Sequence, residues 1–102
     1  MTSFNTLELD VLRWAEARDI LKHSTPMAQC AKTIEEVGEL VAAINSNDRA
    51  ACKDAYGDIL VTLIVGSDML NLSLLECLEE AYSVIKHRRG KLNSAGVFVK
   101  EV

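Results

Sequence analysis

Asp54-Ala55-Tyr56-Gly57-Asp58-Ile59-Leu60-Val61-Thr62-Leu63-Ile64-Val65 is the stretch whose conformation decides the fold. Its second half, rich in β-branched residues, suits a buried strand. Its first half argues for a helix. Asp54 and Asp58 stand four apart, the spacing that puts two side chains on one helix face, and Leu63, Met69 and Leu70 carry the pattern on. We read a helix over 48–70. A helix apolar on all sides must be covered on all sides. A chain of 102 residues has little else to cover it, so this helix is expected to meet another copy.

Working outward, Ser46-Asn47-Asp48 separates this helix from one over 26–45, and Asn47 or Asp48 can cap the later one. The earlier one has a start signal in Thr25 as N-cap and Pro26 at the first helical position. Asn71-Leu72-Ser73 is the next break, with Ser73 and Glu76 spaced as a capping box. A helix over 73–89 follows, with Gly90 as its stop. A first helix over about 6–21 carries Leu7, Val11, Trp14 and Arg18 along one side. The tail, 91–102, contains Val97-Phe98-Val99, a short strand or arm. The expected architecture is one all-α domain over 1–102, a four-helix bundle with a short C-terminal arm.

Composition narrows the function classes. Hydrophobic residues at 49% and charged residues at 25% are ordinary for a folded chain. A net charge of −4 argues against nonspecific nucleic-acid binding, so no nucleic-acid partner is expected. Cys30, Cys52 and Cys77 are scattered and odd in number, which fits core residues in a reducing compartment better than disulfides or a zinc site. No secretory signal pattern opens the chain. The longest apolar run, from Ile59 to Gly66, is far short of the ~20 residues that cross a bilayer. The expectation is a soluble, cytoplasmic protein without a membrane partner.

The chemistry is concentrated in two acidic clusters, Glu35-Glu36-Val37-Gly38-Glu39 and Asp54 with Asp58. If the two helices lie antiparallel and adjacent, the clusters meet, and carboxylates at close quarters repel unless protons or cations intervene. An all-oxygen donor set suits a hard cation, Mg²⁺ or Mn²⁺, over zinc. With Val37 at the centre of the buried face and ~100° per residue, Ile34, Val37, Val41 and Ile44 share one stripe. Gln29, Lys32, Glu36 and Glu39 share a flanking stripe that looks like the wall of a polar cleft, with Glu35 on its far side. The competing reading is a solvated acidic face. A di-iron bundle is disfavoured, since no Glu-x-x-His pair appears.

Taken in order, Trp14…Arg18, Gln29-x-x-Lys32, Glu35-Glu36-x-x-Glu39-Leu40, Asp54-x-x-Gly57-Asp58, Lys86-x-x-Arg89-Gly90-Lys91 and Gly96-Val97-Phe98-Val99-Lys100 resemble the MazG-like nucleoside triphosphate pyrophosphohydrolases. The likeness is to the short, single-domain members found in bacteriophages and bacteria. It implies an all-α fold, Mg²⁺ dependence, and hydrolysis of NTP or dNTP to monophosphate and pyrophosphate in nucleotide-pool housecleaning. It also implies dimers or tetramers. One position departs from the family pattern, which continues as ExxD: three residues before Asp58 stands Ala55. Either Asp54 replaces the missing ligand, or metal binding and activity are weakened. The alternative function is a catalytically weak nucleotide-binding or sensing oligomer of the same fold.

On this resemblance Glu36, Glu39 and Asp58 are metal ligands, with Asp54 as the replacement, and Glu35, Glu36, Glu39 and Asp58 form the catalytic set. Glu35 is a base acting through water, a partner of the ligands, or solvated. Lys32 either pairs with Glu36 along the helix or contacts phosphate, and Gln29 could read a base edge. Four cations and a histidine in Lys86–Lys91 exceed what a helix C-terminus needs. Lys86, Arg89 and Lys91, with Lys100, are therefore taken as phosphate contacts. Arg88, His87 and His23 are read as surface residues. Trp14 packs in the core or stacks on a nucleobase.

Overall fold

The computed structural model describes residues 2–101, so Met1 and Val102, which the expected domain and tail include, lie outside it. Five helices run in the order α1 (Phe4–Ala17), α2 (Ile20–His23), α3 (Pro26–Asn45), α4 (Arg49–Met69) and α5 (Leu74–Ile85). A two-stranded hairpin follows, β1 (Gly90–Leu92) and β2 (Phe98–Lys100). The ambiguous apolar run lies in α4, so the helical reading holds.

Local chemistry sets the boundaries. Thr25 accepts from the Ala28 N–H at 3.0 Å ahead of Pro26, and Asp48 accepts from the Ala51 N–H at 3.0 Å, each satisfying an otherwise orphaned donor. At α5 the capping box is only half made. Ser73 Oγ accepts from the Glu76 N–H at 3.4 Å, while the Leu75 N–H goes to Glu8 of α1 at 3.2 Å. The Ser73 hydroxyl donates to the same Glu8 carboxylate at 3.1 Å. An acid placed there also favours the positive end of α5. Glu8→Ala should therefore lower stability by about 1 kcal/mol, seen as a melting point several degrees lower. An unchanged melt would show that α5 does not depend on this cap.

Three expectations on the elements need correction. The first helix does not run unbroken over 6–21. It ends at Ala17, with Arg18 as C-cap, because Asp19 takes a left-handed conformation (φ 58) and its N–H bonds back to Glu16, and the short α2 restarts beyond it. Asp is among the few non-glycine residues that adopt this conformation readily. The last helix stops at Ile85 instead of Arg89, where the crowded cations Lys86 to Arg89 begin. Gly90 is no helix stop. It pairs with Lys100, and a side chain on it would collide with the Val99 carbonyl and with the Phe98 ring. The tail is a hairpin closed by Asn93, whose Oδ1 accepts from the N–H groups of Ala95 and Val97, and by Gly96 at φ 79.

The α3–α4 pair is the spine. Across it the hydroxyls of Thr33 and Thr62 lie 2.7 Å apart, one donating to the other. One turn on, a Cβ on Gly66 would sit 3.3 Å from the Gln29 Cβ, so the small residue lets the helices close there. The inward face of α3 is Gln29, Thr33, Glu36, Leu40 and Ala43, and that of α4 includes Ala55 and Thr62. The apolar stripe expected to be buried is not. Ile34 is 69% exposed, and Val37, Val41 and Ile44 are exposed as well. The helix faces α4 with Gln29 and Glu36 of the polar stripe beside Thr33, Leu40 and Ala43, keeps Lys32 and Glu39 exposed, and leaves its apolar stripe outward. α1 packs on the side of α4 that carries Asp58 and Val61. The α4 and α5 axes are bent 99° from one another. Among the described residues no single helix is long and apolar enough to cross a membrane.

Candidate active site

The antiparallel α3–α4 contact brings the two acidic clusters together. Glu36, Glu39 and Asp58 each offer a carboxylate oxygen, and these oxygens lie within 4.8 Å of one another. Glu36 is only 7% exposed, and its buried Oε2 has no hydrogen-bond partner among the described residues. A buried, unsatisfied carboxylate oxygen is costly and asks for a ligand. Oxygens bound to Mg²⁺ at ~2.1 Å lie at most about 4 Å apart, so small rotamer shifts would fit this trio to a hard cation.

The electrostatics agree with that chemistry. The Glu36 carboxyl is held above its ordinary pKa, first by hydrogen bonding with Glu39, then by burial and the charge of Glu39, with Lys32 opposing. The Asp58 carboxyl is raised first by burial, then by the charges of Asp54 and Glu36. Asp54 is thus felt at Asp58, but it is not among the three converging oxygens. Lys32 Nζ stands 3.2 Å from Glu35 Oε1 and 3.6 Å from Glu36 Oε1. Its own pKa is raised, first by the hydrogen bond to Glu35. Glu35 itself points outward as this partner of Lys32.

These groups form one end of a cleft of about 850 Å³, enough for a nucleotide. Lys32, Glu36 and Asp58 line one end, Thr62 and Val65 the floor, and Trp14, Arg18 and Gln29 the rest together with the α2 turn. Trp14 is 43% exposed, so it is not a closed core residue, and the Arg18 guanidinium lies 5.0 Å from its ring centroid. Gln29 Nε2 donates to Ser24 Oγ at 3.0 Å.

A profile of the MazG nucleotide pyrophosphohydrolase domain matches residues 24–92. This chain belongs to the MazG family. Members are typically dependent on divalent metal and act on nucleoside triphosphates, which suits an all-carboxylate trio. A similar protein is the uncharacterized 18.2 kDa protein of the rep–hol intergenic region of Haemophilus phage HP1, 34% identical over 65 residues. The match takes in 64% of this chain and 40% of that relative, so the chain spans well under two thirds of its length. No solved structure matches the chain.

Within this MazG fold the sequence-derived site residues divide. Glu36, Glu39 and Asp58 come together, and Trp14, Gln29 and Lys32 line the same cleft as Glu36 and Asp58. Lys86, Arg89, Lys91 and Lys100 do not line it. Lys86 stands 6.0 Å from the Tyr82 ring centroid, and the others border shallow recesses around the hairpin. His23, read as a surface residue, lines the cleft with Asp19 and Ser24. Sequence reasoning missed Asp19 because the α1–α2 break carries no glycine or proline to announce it. The Ser24–Pro26 loop, with Gln29 five residues after Ser24, held the only available hint.

Proposed function

We propose that this MazG-family chain is a cytoplasmic, Mg²⁺- or Mn²⁺-dependent hydrolase that converts nucleoside or deoxynucleoside triphosphates to monophosphate and pyrophosphate. The observation that carries this reading is the convergence of Glu36, Glu39 and Asp58 at one end of a nucleotide-sized cleft, with a buried Glu36 oxygen left unpaired. When bound there, a hard divalent cation supplies neutralisation of phosphate oxygens and a more acidic water.

The chain's own residues would do the rest. Glu36, Glu39 and Asp58 hold the ion, with Asp54 adding negative field from one turn away. Water attacks the α-phosphorus, the bond to the bridging oxygen of the leaving pyrophosphate breaks, and Glu35 accepts the proton through solvent. Lys32 moves from its carboxylate partners to phosphate oxygens, steered by Glu35. Trp14 offers a ring face to the base, and Gln29, held by Ser24, offers its amide to the base edge. The protein assembles as a homo-oligomer, and Lys86, Arg89, Lys91 and Lys100, remote from the cleft of their own chain, contact phosphate in that of a neighbouring copy.

The test is a panel of nucleoside triphosphates with and without Mg²⁺, resolving pyrophosphate from orthophosphate. Pyrophosphate release that stops in EDTA is expected. Stepwise loss of single phosphates, or full turnover in EDTA, would end the reading. A second reading, nucleotide binding with little turnover, is favoured by one observation: Ala55 is 4% exposed and occupies the position where the family pattern has a carboxylate. Metal-dependent binding without product would support it.

A further inference from the structure

One wall of the cleft carries a charge of the wrong sign for a polyanion. Asp19 lines it together with Ser24 and Gln29. Its backbone is left-handed (φ 58), as are those of Asn47 (φ 54) and Asn71 (φ 59). Asparagine adopts such a backbone as readily as aspartate, and it stands at both of the positions away from this cleft. Backbone geometry therefore leaves the carboxylate of Asp19 unexplained. Helix capping does not explain it either. Asp19 is the N-cap of α2 and makes no side-chain cap bond, although Asp is among the residues best suited to that task. The neighbouring cation, Arg18, lies over the Trp14 ring, and the only ion pairs among the described residues are those of Lys32. Asp19 thus brings to the cleft wall a carboxylate with no internal partner.

Its place in the cleft says what it meets. Asp19 stands apart from the three converging carboxylates: it is neither one of them nor among the charges felt at Glu36 or Asp58. It belongs to the α2 turn, whose far end is tied to α3 by the 3.0 Å bond between Ser24 and Gln29. Gln29 lies two helical turns along α3 from Glu36, a rise of about 10 Å, which one nucleoside spans. A triphosphate gripped at the carboxylate end therefore brings its base to this turn.

We propose that Asp19 reads the base of the nucleotide and selects guanine. This rests on the nucleotide substrate of the functional reading and names its base. An ionised carboxylate is an acceptor only. Guanine alone among the common bases presents two adjacent donors, N1–H and the N2 amino group, on its pairing edge, and one carboxylate accepts both. Adenine and cytosine set a ring-nitrogen lone pair beside their single amino group. Uracil and thymine flank N3–H with two carbonyls. Each of these four turns an acceptor against the carboxylate. Gln29 completes the match: its Nε2 donates one hydrogen to Ser24 and keeps the other for a carbonyl such as guanine O6.

The experiment separates binding from turnover. Ribo- and deoxynucleoside triphosphate analogues of each base, with a methylene group in place of the α–β bridging oxygen, are titrated in Mg²⁺ by calorimetry. Quenching of Trp14, the only tryptophan in the chain, reports occupancy of the cleft. Guanine analogues are expected to bind about tenfold or more tighter than uracil or thymine ones, with adenine and cytosine between. Asp19→Asn keeps a residue suited to the left-handed backbone and removes the charge. It should lose most of that ratio while retaining the parent's helicity and its melting point in Mg²⁺. Equal affinities in the parent, a preference for any other base, or a guanine preference unchanged in Asp19→Asn overturns the assignment. The analogues cannot be cleaved, so the two readings fail separately. Guanine selectivity in a chain that releases no pyrophosphate from ordinary triphosphates sustains the assignment and removes hydrolysis. Pyrophosphate release with equal affinities for all bases does the reverse, and no binding of any analogue overturns both.

Discussion

Glu39→Ala should reduce turnover by about 100-fold or more while leaving the metal-free protein as stable as the parent or more so. Three carboxylate oxygens within 4.8 Å repel one another when no cation is present. Glu39 is the largest cause of the raised Glu36 pKa, so its removal relieves strain at the buried partner. The sign follows from linkage. Glu36 and Asp58 have native pKa values above those of the unfolded chain, so the folded state holds its protons more tightly. Their contribution is fully present below the ordinary carboxylate range and is lost as pH rises through the raised native values. Melts in EDTA should therefore fall with pH across that window in the parent and fall less in Glu39→Ala. Added Mg²⁺ should stabilise the parent and hardly the variant. A variant that melts far below its parent in EDTA would make these acids structural.

Ala55→Glu should act on metal-free stability in the opposite sense, lowering it. The register set by Thr33–Thr62 and Gln29–Gly66 carries Ala55 to the level of Leu40, on the inward face of α4. From sequence this position looks like a free helix site where glutamate costs little. Burial changes that. A new carboxylate there is desolvated beside acids already in excess, at a cost on the order of 3 kcal/mol without metal. If the restored family pattern makes a better cage, Mg²⁺ should recover much of that loss and bind more tightly. Melts with and without Mg²⁺ measure both. Asp54→Asn is the companion: a loss of Mg²⁺ affinity as large as that of Asp58→Asn would make Asp54 the replacement ligand. If Ala55→Glu is as destabilised in Mg²⁺ as in EDTA, this position has left the metal site altogether.

The sequence was most legible where short-range chemistry decides. Thr25-Pro26, Asp48 and Ser73 announced three helix starts because a cap needs only its own side chain and a backbone N–H two or three residues on. The convergence of Glu36, Glu39 and Asp58 was legible because helical spacing and one antiparallel contact suffice. What could not be read depends on long-range partners. The cap on α5 comes from Glu8, 67 residues before the N–H it accepts from. The face α3 turns toward α4 was misread because periodicity gives the relative order of stripes around a helix, whereas which stripe meets which neighbour depends on everything else in contact. The basic arm lies outside the cleft, beyond a 99° turn between α4 and α5 that no local pattern encodes.

The left-handed Asp19 gives the cleft two sides of unequal construction. Its carboxylate end is set on helices of 20 and 21 residues locked side by side. The opposite wall, with Asp19, Ile20, His23 and Ser24, hangs on a helix of four residues entered through one unusual backbone angle. Single substitutions can reshape such a wall while the carboxylate end stays as it was. The shape of one wall and the charge of the other can thus vary independently of each other.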